Sequence, residues 1–282
     1  MISDVKSGKF FSMFLMETKE LIRSKWIQFY FFIFLFVSVA ITFAGKTGVV
    51  YDFSGISKLI ASLLNISFIL VPIFSLGPSS MSISGARESL TLEYLLSFPV
   101  DKRDIYFSKF FSVFLTSALA VSLSLFISFL ISGFEGIDLK ALLALVFILL
   151  LSFTFISIGF LISTVSKTRS GSIALSFLIW FIVIIGGELG TLGFISLSKI
   201  PSPLFFPIVF LNPAETFRVS VITIFSDSLD ILGPFGIYIY SKLGKTLVPL
   251  SAIIIFIYGL TILTVAYKIF CVQKVSVRIR RR

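Results

Sequence analysis

Residues able to carry out chemistry are scarce in this 282-residue chain. It has no histidine and one cysteine, Cys271, which excludes histidine-ligated metal sites, a Cys/His dyad and an intrachain disulfide. The long apolar runs contain almost none of the carboxylates that ion-coupled transport requires, apart from Glu188 at the end of one run. Charged side chains instead gather in residues 85–105, between two apolar runs. The sequence therefore predicts no catalytic site and indicates residues 85–105 as the candidate functional segment.

The charged segment predicts a short helix over residues 87–98, outside the membrane. Apolar residues at three- and four-residue spacing would form one stripe on it, with polar residues beside the stripe. The stripe is Leu92, Leu95, Leu96 and Pro99, and the polar residues are Arg87, Glu88, Thr91 and Glu93. Pro99 disfavours helical backbone at Phe98 and ends the helix, and Asp101 can cap the next one.

The same segment resembles the cytoplasmic segment between the second and third membrane helices of ABC-2 type transporter permeases. The matching residues are Glu88, Thr91, Leu92, Glu93, Leu95, Leu96, Ser97, Pro99, Val100, Arg103 and Ile105. The resemblance implies an ATPase-coupling helix, within residues 86–99, that docks in a groove of a separate ABC ATPase subunit. Arg87, just before the matching set, is expected to act with it. An ordinary solvated loop helix is the other interpretation of this pattern.

The resemblance places ATP and Mg²⁺ on the partner subunit. Two Gly-Lys-Thr triplets, at Gly45 and Gly244, lack the earlier glycine of a phosphate-binding loop, since the chain has Ala40 and Ile239 there. We therefore expect that this chain binds no cofactor and no metal and is not an enzyme.

Composition identifies an integral membrane protein. The chain is 57% hydrophobic and 13% charged, with a mean hydropathy of +1.07, far more apolar than a soluble domain. Apolar runs of about 20 residues predict six membrane spans, at residues 26–44, 57–81, 106–132, 139–164, 171–195 and 247–270. Residues 1–25 have an imperfect amphipathic pattern that predicts a helix in the headgroup region.

The expected fold is therefore an all-α integral membrane protein, a single ABC-2 transmembrane domain over residues 1–282. Within it, an interface helix is followed by spans one to five in residues 26–195. An extracytoplasmic loop with short helices then covers residues 196–246, and the sixth span and a basic tail complete residues 247–282.

The net charge of +10 bears on membrane topology rather than on nucleic acid. Connections on one side of the predicted membrane hold 17 of the 24 Lys and Arg residues, and those on the other side hold 7 over a nearly equal length. Because the more basic side faces the cytoplasm, we expect a multi-pass cell-membrane protein with both termini cytoplasmic. Its surroundings would be membrane lipid, with no nucleic-acid partner.

Two prolines, Pro72 and Pro78, lie in the predicted second span. Proline removes a helical hydrogen bond and kinks a helix, although spans also tolerate it for packing reasons. A hinge just before the coupling segment is the functional interpretation.

The loop of residues 196–246 is too long to be structureless. Asn212, Pro213 and Glu215 have the types and spacing of a helix start, which predicts a short helix over residues 213–226, shallow or re-entrant. Phe217 lies on its apolar side, which we expect to rest on the spans, leaving Glu215 and Arg218 available to an extracytoplasmic partner or gate. A second short piece is expected at residues 235–240.

Within the permease family, residues 211–218 resemble a segment of the NosY-like permeases of copper-site maturation in nitrous-oxide reductase. Asn212, Pro213, Glu215, Phe217 and Arg218 carry this resemblance. It implies a copper-processing system, with a NosD-like extracytoplasmic accessory protein as a partner. A generic ABC-2 exporter of lipid, polysaccharide or drug and a non-transport membrane scaffold are the alternatives. Six spans normally make half of such a transporter, so a homodimer is expected.

Overall fold

The computed structural model describes residues 2–46, 56–133, 139–196, 209–225 and 233–273. Every regular element in these ranges is helical. The helices are α1 (Ile2–Arg23), α2 (Lys25–Lys46), α3 (Ile56–Glu88), α4 (Thr91–Ser97), α5 (Lys102–Ser132), α6 (Leu139–Val165), α7 (Arg169–Ser196), α8 (Pro213–Phe225), α9 (Gly233–Leu243) and α10 (Leu247–Val272), with a 3₁₀ turn at Gly244–Thr246. The all-α fold class is confirmed.

Six of these helices are long and apolar enough to cross a membrane, which confirms the expected spans. The segments are Lys25–Phe43, Ile66–Glu88, Lys102–Ile131, Leu139–Val165, Arg169–Gly190 and Leu247–Val272. The chain is a multi-pass membrane protein, because these segments are apolar around most of their circumference and could not be solvated in water.

Helices α3 and α6 form the centre of the bundle and are its most buried spans. A Cβ atom built on Gly159 of α6 would lie 1.8 Å from Ser79 Oγ of α3, so only glycine permits this approach of the two backbones. One turn further along, Ser163 Oγ accepts hydrogen bonds from the backbone N–H groups of Ile83 and Ser84, at 2.8 and 2.9 Å. The side chain of one central helix therefore enters the backbone hydrogen bonding of the other.

Both prolines lie inside α3, which is helical on either side of them. Pro78 is flanked by two tight contacts, because Gly77 lies against the indole of Trp26 and Ser79 lies against Gly159. A hinge at Pro78 would have to separate these contacts, and the hinge stays a prediction.

The other spans pack around this pair. Helix α10 lies along α6, α7 lies along α3, and α5 packs against α2 and α1. Helix α1 is held to α5 by a buried ion pair between Glu17 and Lys109. Thr18 Oγ1 also donates to Ser112 Oγ, at 3.1 Å. These contacts place α1 along the first turns of α5, at one membrane face.

Helices α4 and α8 lie at opposite ends of the bundle. Helix α4 follows the end of α3, where the chain also places the beginning of α7 and the end of α10. Helix α8 packs between α3, α6, α7 and α10 at their other ends. The two membrane faces are named here the α4 face and the α8 face.

Candidate functional site

The segment between α3 and α5 forms an elbow, defined as residues 87–103. The expected single helix over residues 87–98 is wrong at its start, because α3 continues to Glu88 and α4 begins only at Thr91. Leu90 between them has φ 61°, in the left-handed region, where a non-glycine residue costs ~1–2 kcal/mol. At the other end, Phe98 leaves the helix with extended backbone before Pro99, as the sequence predicts.

The apolar stripe of α4 packs on the protein itself. Leu92 is fully buried, and Leu95 and Leu96 are half-buried against the same cluster. This cluster joins the ends of α3, α5, α6 and α10, with Ile83, Tyr106 and Phe160 among its members. The expectation that the leucine stripe is open to a partner is therefore wrong for Leu92.

The exposed apolar face of the elbow consists of three other residues. Leu90, Tyr94 and Phe98 are 60%, 64% and 46% exposed. They recur every four residues, and the rings of Tyr94 and Phe98 meet edge to face with centroids 5.0 Å apart. The four-residue spacing of Leu90, Tyr94 and Phe98 can be seen in the sequence, but so can the spacing of the α4 leucines. Only the burial of each side chain in the structure shows which of the two faces is exposed.

Arg87 anchors the elbow to the bundle. Its guanidinium donates to the carbonyl oxygens of Thr164, at 3.2 and 3.3 Å, and Ser166, at 2.7 Å, at the end of α6. It also donates to Gln273 Oε1 after α10, at 2.6 Å. Since the last carbonyl groups of a helix lack internal partners, Arg87 ties the ends of three spans together.

Two further charged residues complete this anchorage. The carboxylate of Glu88 accepts from the backbone N–H of Arg169 at 2.6 Å, where it neutralises the positive N-terminus of α7. Lys102 donates to the carbonyl oxygens of Cys271 and Gln273, both at 3.1 Å. Lys102 and Gln273 were not predicted from the sequence, since no local pattern pairs positions about 170 residues apart.

The remaining coupling residues are exposed or half-buried. Thr91 is exposed and bonds Ser89 through its hydroxyl at 2.8 Å, and Glu93 is half-buried. The carbonyl oxygen of Pro99 accepts from Lys9 Nζ of α1 at 3.0 Å. Val100 is half-buried against the cluster beneath α4, and the guanidinium of Arg103 lies 5.9 Å from the Phe107 ring centroid.

At the α8 face, the helix start at Asn212 is confirmed. Asn212 Oδ1 accepts from the backbone N–H of Ala214 at 3.0 Å, which caps α8. Its Nδ2 donates to the carbonyl oxygen of Val183 in α7 at 2.8 Å. Gly187 permits this contact, because a Cβ there would lie 2.6 Å from Asn212 Nδ2. Pro213 begins the helix and is buried.

Helix α8 is inserted between the spans rather than resting on them with one side. Phe217 is fully buried and Glu215 is only 3% exposed. The expectation that Glu215 is available to a partner is therefore wrong, because neighbours surround the helix on both sides. The expected second piece at residues 235–240 lies within α9, whereas residues 197–208 and 226–232 of the loop lie outside the described residues.

Three charged side chains meet beside α8 and form what we call the α8 charge cluster. Arg218 Nη1 lies 2.7 Å from Glu188 Oε1 and 4.0 Å from Glu215 Oε2. The guanidinium is also 5.8 Å from the centroid of the Phe68 ring. Glu215 Oε1 is buried and has no hydrogen-bond partner in the described part of the chain.

This environment favours the neutral form of Glu215. Burial raises the pKa of its carboxyl group to about 7, with Arg218 acting in the opposite direction and Glu188 in the same direction. Removal from water disfavours a carboxylate more than one partly exposed guanidinium stabilises it. Glu215 can therefore exchange a proton near neutral pH.

The fold and the anchored elbow define the class: a polytopic α-helical membrane protein with a structured helix outside the bilayer on one face. The sequence model of the family described as "ABC-2 family transporter protein" matches residues 12–273. The chain belongs to this family.

Named relatives are also similar to the chain. A "Probable ABC transporter permease protein NosY" from Stutzerimonas stutzeri is 26% identical over 230 residues, 77% of this chain and 82% of the relative. A protein of the same description from Pseudomonas aeruginosa is 26% identical over 217 residues, 72% of this chain and 78% of the relative.

Proposed function

We propose that this chain is the membrane subunit of an ATP-driven transporter and that its elbow docks on a separate ATP-hydrolysing subunit. The exposed face of Leu90, Tyr94 and Phe98 carries the proposal. Exposed aromatic side chains outside the bilayer are typical anchors of a protein interface. ATP and Mg²⁺ would bind the partner, and this chain would supply no catalytic residue.

The anchorage of the elbow supports its use in coupling. Movement of α4 would act on the ends of α3, α6 and α10, because Arg87 joins them through short hydrogen bonds. The buried Leu92 and the half-buried Leu95 and Leu96 would keep α4 rigid against these spans. We therefore assign Arg87, Glu88, Leu92, Leu95, Leu96 and Val100 to force transmission. Thr91, Glu93, Pro99 and Arg103 remain available at the rim.

We infer that the α4 face is cytoplasmic. Lys9 of α1 and Gln273 after α10 both bond to the elbow, so the two ends of the described chain share its face. The excess of Lys and Arg in the connections of that face supports the orientation. A homodimer is the inferred assembly, since six spans would form half of the transporter.

The finer proposal is a NosY-like system that supports copper-site maturation of a metalloenzyme. The two relatives described as NosY and the residues 211–218 support it. Because Glu215 is buried, we assign Glu215, Phe217 and Asn212 to holding α8 among the spans. Arg218, on the accessible side, would be the contact for a NosD-like accessory protein. In cells lacking this chain, we expect nitrous-oxide reductase to contain less copper, and unchanged copper content would exclude this subtype.

A second candidate is export of a lipidic molecule. A cavity of about 490 Å³ between α3, α5 and α6 has an almost wholly apolar lining that includes Phe126, Leu142 and Ile148. Its size lies within the range of about 300–1,000 Å³ of ligand pockets, and its lining suits an acyl chain. Reconstituted transport of a labelled lipid on ATP addition would favour this candidate.

The docking proposal is tested by replacing Tyr94 and Phe98 with Asp together. Both side chains are exposed, so the protein should fold, while a buried interface would leave the new carboxylates unpaired. We expect at least a ~tenfold drop in co-purified ATPase, equivalent to about 1.4 kcal/mol of binding. Leu139→Asp is the matched control, since Leu139 is 71% exposed at the start of α6 on the α8 face. Wild-type recovery of the ATPase by the double variant would place the docking site elsewhere.

A further inference from the structure

A polar cavity of about 290 Å³ lies on the α4 face, between α1, α3, α5 and the start of α7. Its walls carry charged groups of both signs. Glu20 of α1 and Arg169 of α7 lie on the exposed parts of the wall, and the buried pair of Glu17 and Lys109 lies deeper. Two carboxylates and two cations give the lining no net charge.

The cavity lies at the level of the lipid headgroups. The α5 span has 30 residues, or about 45 Å at ~1.5 Å per residue, against ~30 Å of hydrocarbon. With the excess of about 15 Å shared equally between its two ends, about 7 Å of α5 would extend into the headgroup layer at each end. Lys109 lies seven residues after Lys102, roughly 10 Å along α5, which places it near the hydrocarbon boundary. Trp26 also lines the cavity, and tryptophan favours this depth.

The guanidinium of Arg169 lines the cavity, and its terminal nitrogens are available to donate hydrogen bonds to a ligand. Arg169 Nε donates to Met81 Sδ at 3.2 Å, which orients the group. The side chain also passes Gly85, where an added Cβ would lie 3.9 Å from Arg169 Cδ, an ordinary van der Waals distance. Within the described part of the chain, the terminal Arg169 nitrogens and the Glu20 carboxylate make no hydrogen bond or ion pair. An anion and a cation can therefore bind at separate points of the same cavity.

We propose that this cavity binds the headgroup of a phosphatidylethanolamine molecule from the surrounding bilayer. The phosphate would accept hydrogen bonds from Arg169, in the paired geometry that guanidinium groups favour. The ammonium group would donate to Glu20. A zwitterion matches the neutral lining, whereas an anionic headgroup without an amine would leave Glu20 facing a second negative charge. The site binds a lipid whatever the chain transports.

The test is native mass spectrometry of the full-length, delipidated protein, titrated with phosphatidylethanolamine and phosphatidylglycerol of identical acyl chains. We expect wild type to bind phosphatidylethanolamine about tenfold more tightly, equivalent to ~1.4 kcal/mol. Glu20→Gln should abolish this preference by leaving a net positive lining. Arg169→Gln should weaken binding of both lipids. Lys167→Gln, two residues away and exposed, is the matched control and should bind as wild type does.

Three results would overturn the proposal. One is equal affinity of wild type for the two lipids, and another is an equal effect of Lys167→Gln and Arg169→Gln. The third is displacement of the lipid by soluble phosphoethanolamine at equal concentration, which would identify a soluble ligand as the occupant. Because both altered side chains are exposed, thermal unfolding of the variants should match wild type, which separates loss of binding from loss of folding.

Discussion

Replacement of Glu215 by Gln tests the electrostatics of the α8 charge cluster. Glutamine has the shape of the neutral acid and cannot ionise. In the folded protein the pKa of Glu215 is raised to about 7 by burial, which outweighs the attraction of Arg218, whereas an unperturbed glutamate has a pKa of about 4.3. One pKa unit corresponds to about 1.36 kcal/mol. Ionising Glu215 in the folded state thus costs roughly 4 kcal/mol more than in the unfolded chain.

The sign of the pH dependence follows from proton binding. Between about pH 4.3 and 7 the folded protein binds more protons at Glu215 than the unfolded chain does, so wild-type stability falls as pH rises through this window. Below this pH window Glu215 is protonated in both the folded and the unfolded state, and above it the loss of stability is complete. The free energy of unfolding of Glu215→Gln, measured relative to wild type, should therefore rise by roughly 3 kcal/mol between pH 4.5 and pH 8. At ~2 °C per kcal/mol, this gain is about 6 °C in melting temperature.

The assay is thermal unfolding of both proteins in one detergent across this pH range. The difference between the two curves is the measured quantity, because it cancels any constant cost of the new amide. Arg218→Gln offers a check: without the guanidinium, the pKa of Glu215 should rise and the window should move to higher pH. A difference that stays flat from pH 4.5 to pH 8 would refute the argument, since Glu215 would then keep one charge state throughout.

Two further predictions concern the bundle and its orientation. Gly159→Ala should lower the melting temperature, because its Cβ would overlap α3 and overpacking costs ~1–3 kcal/mol. Gly186→Ala is the control, because no neighbouring atom lies within 4 Å of its Cβ. This variant should leave the melting temperature unchanged or raise it. In a Cys271→Ser background, a cysteine at Ser241 should react with an impermeant thiol reagent in intact cells, and one at Ser97 should react only after permeabilisation. Both serines are exposed.

Each of these experiments has a result that contradicts its premise. Equal melting temperatures for the two glycine variants would mean that α3 and α6 do not approach as closely as Gly159 and Ser79 indicate. Labelling at Ser97 in intact cells would invert the proposed orientation, and with it the access of a cytoplasmic ATPase to the elbow.

Local patterns in the sequence were enough to predict most of the helices. The six spans follow from apolar length alone, because a bilayer requires about 20 apolar residues in a helix. The cap at Asn212 and the stop at Pro99 also followed from local chemistry, since both act within a few residues of the backbone. The structure confirms both.

The candidate sites were predicted less completely. The elbow and the segment of residues 211–218 were located, but the roles of their side chains were not. The leucines of α4 were expected to face a partner, and Glu215 was expected to be available to an extracytoplasmic partner or gate. In both cases the helix was predicted correctly but the burial of the side chain was not, because the elements that cover the side chain come from distant parts of the chain.

The sequence by itself determined the class of protein, the number of spans and the position of the elbow, because hydropathy, proline and charge act through the solvent and the local backbone. Only the tertiary structure decided which face of α4 is exposed and which carboxylate is buried. It also brought Arg87 to the ends of α6 and α10, and Glu20 to the same cavity as Arg169. The physical reason is that burial and ion pairing depend on contacts between helices far apart in sequence, whose packing no single segment encodes.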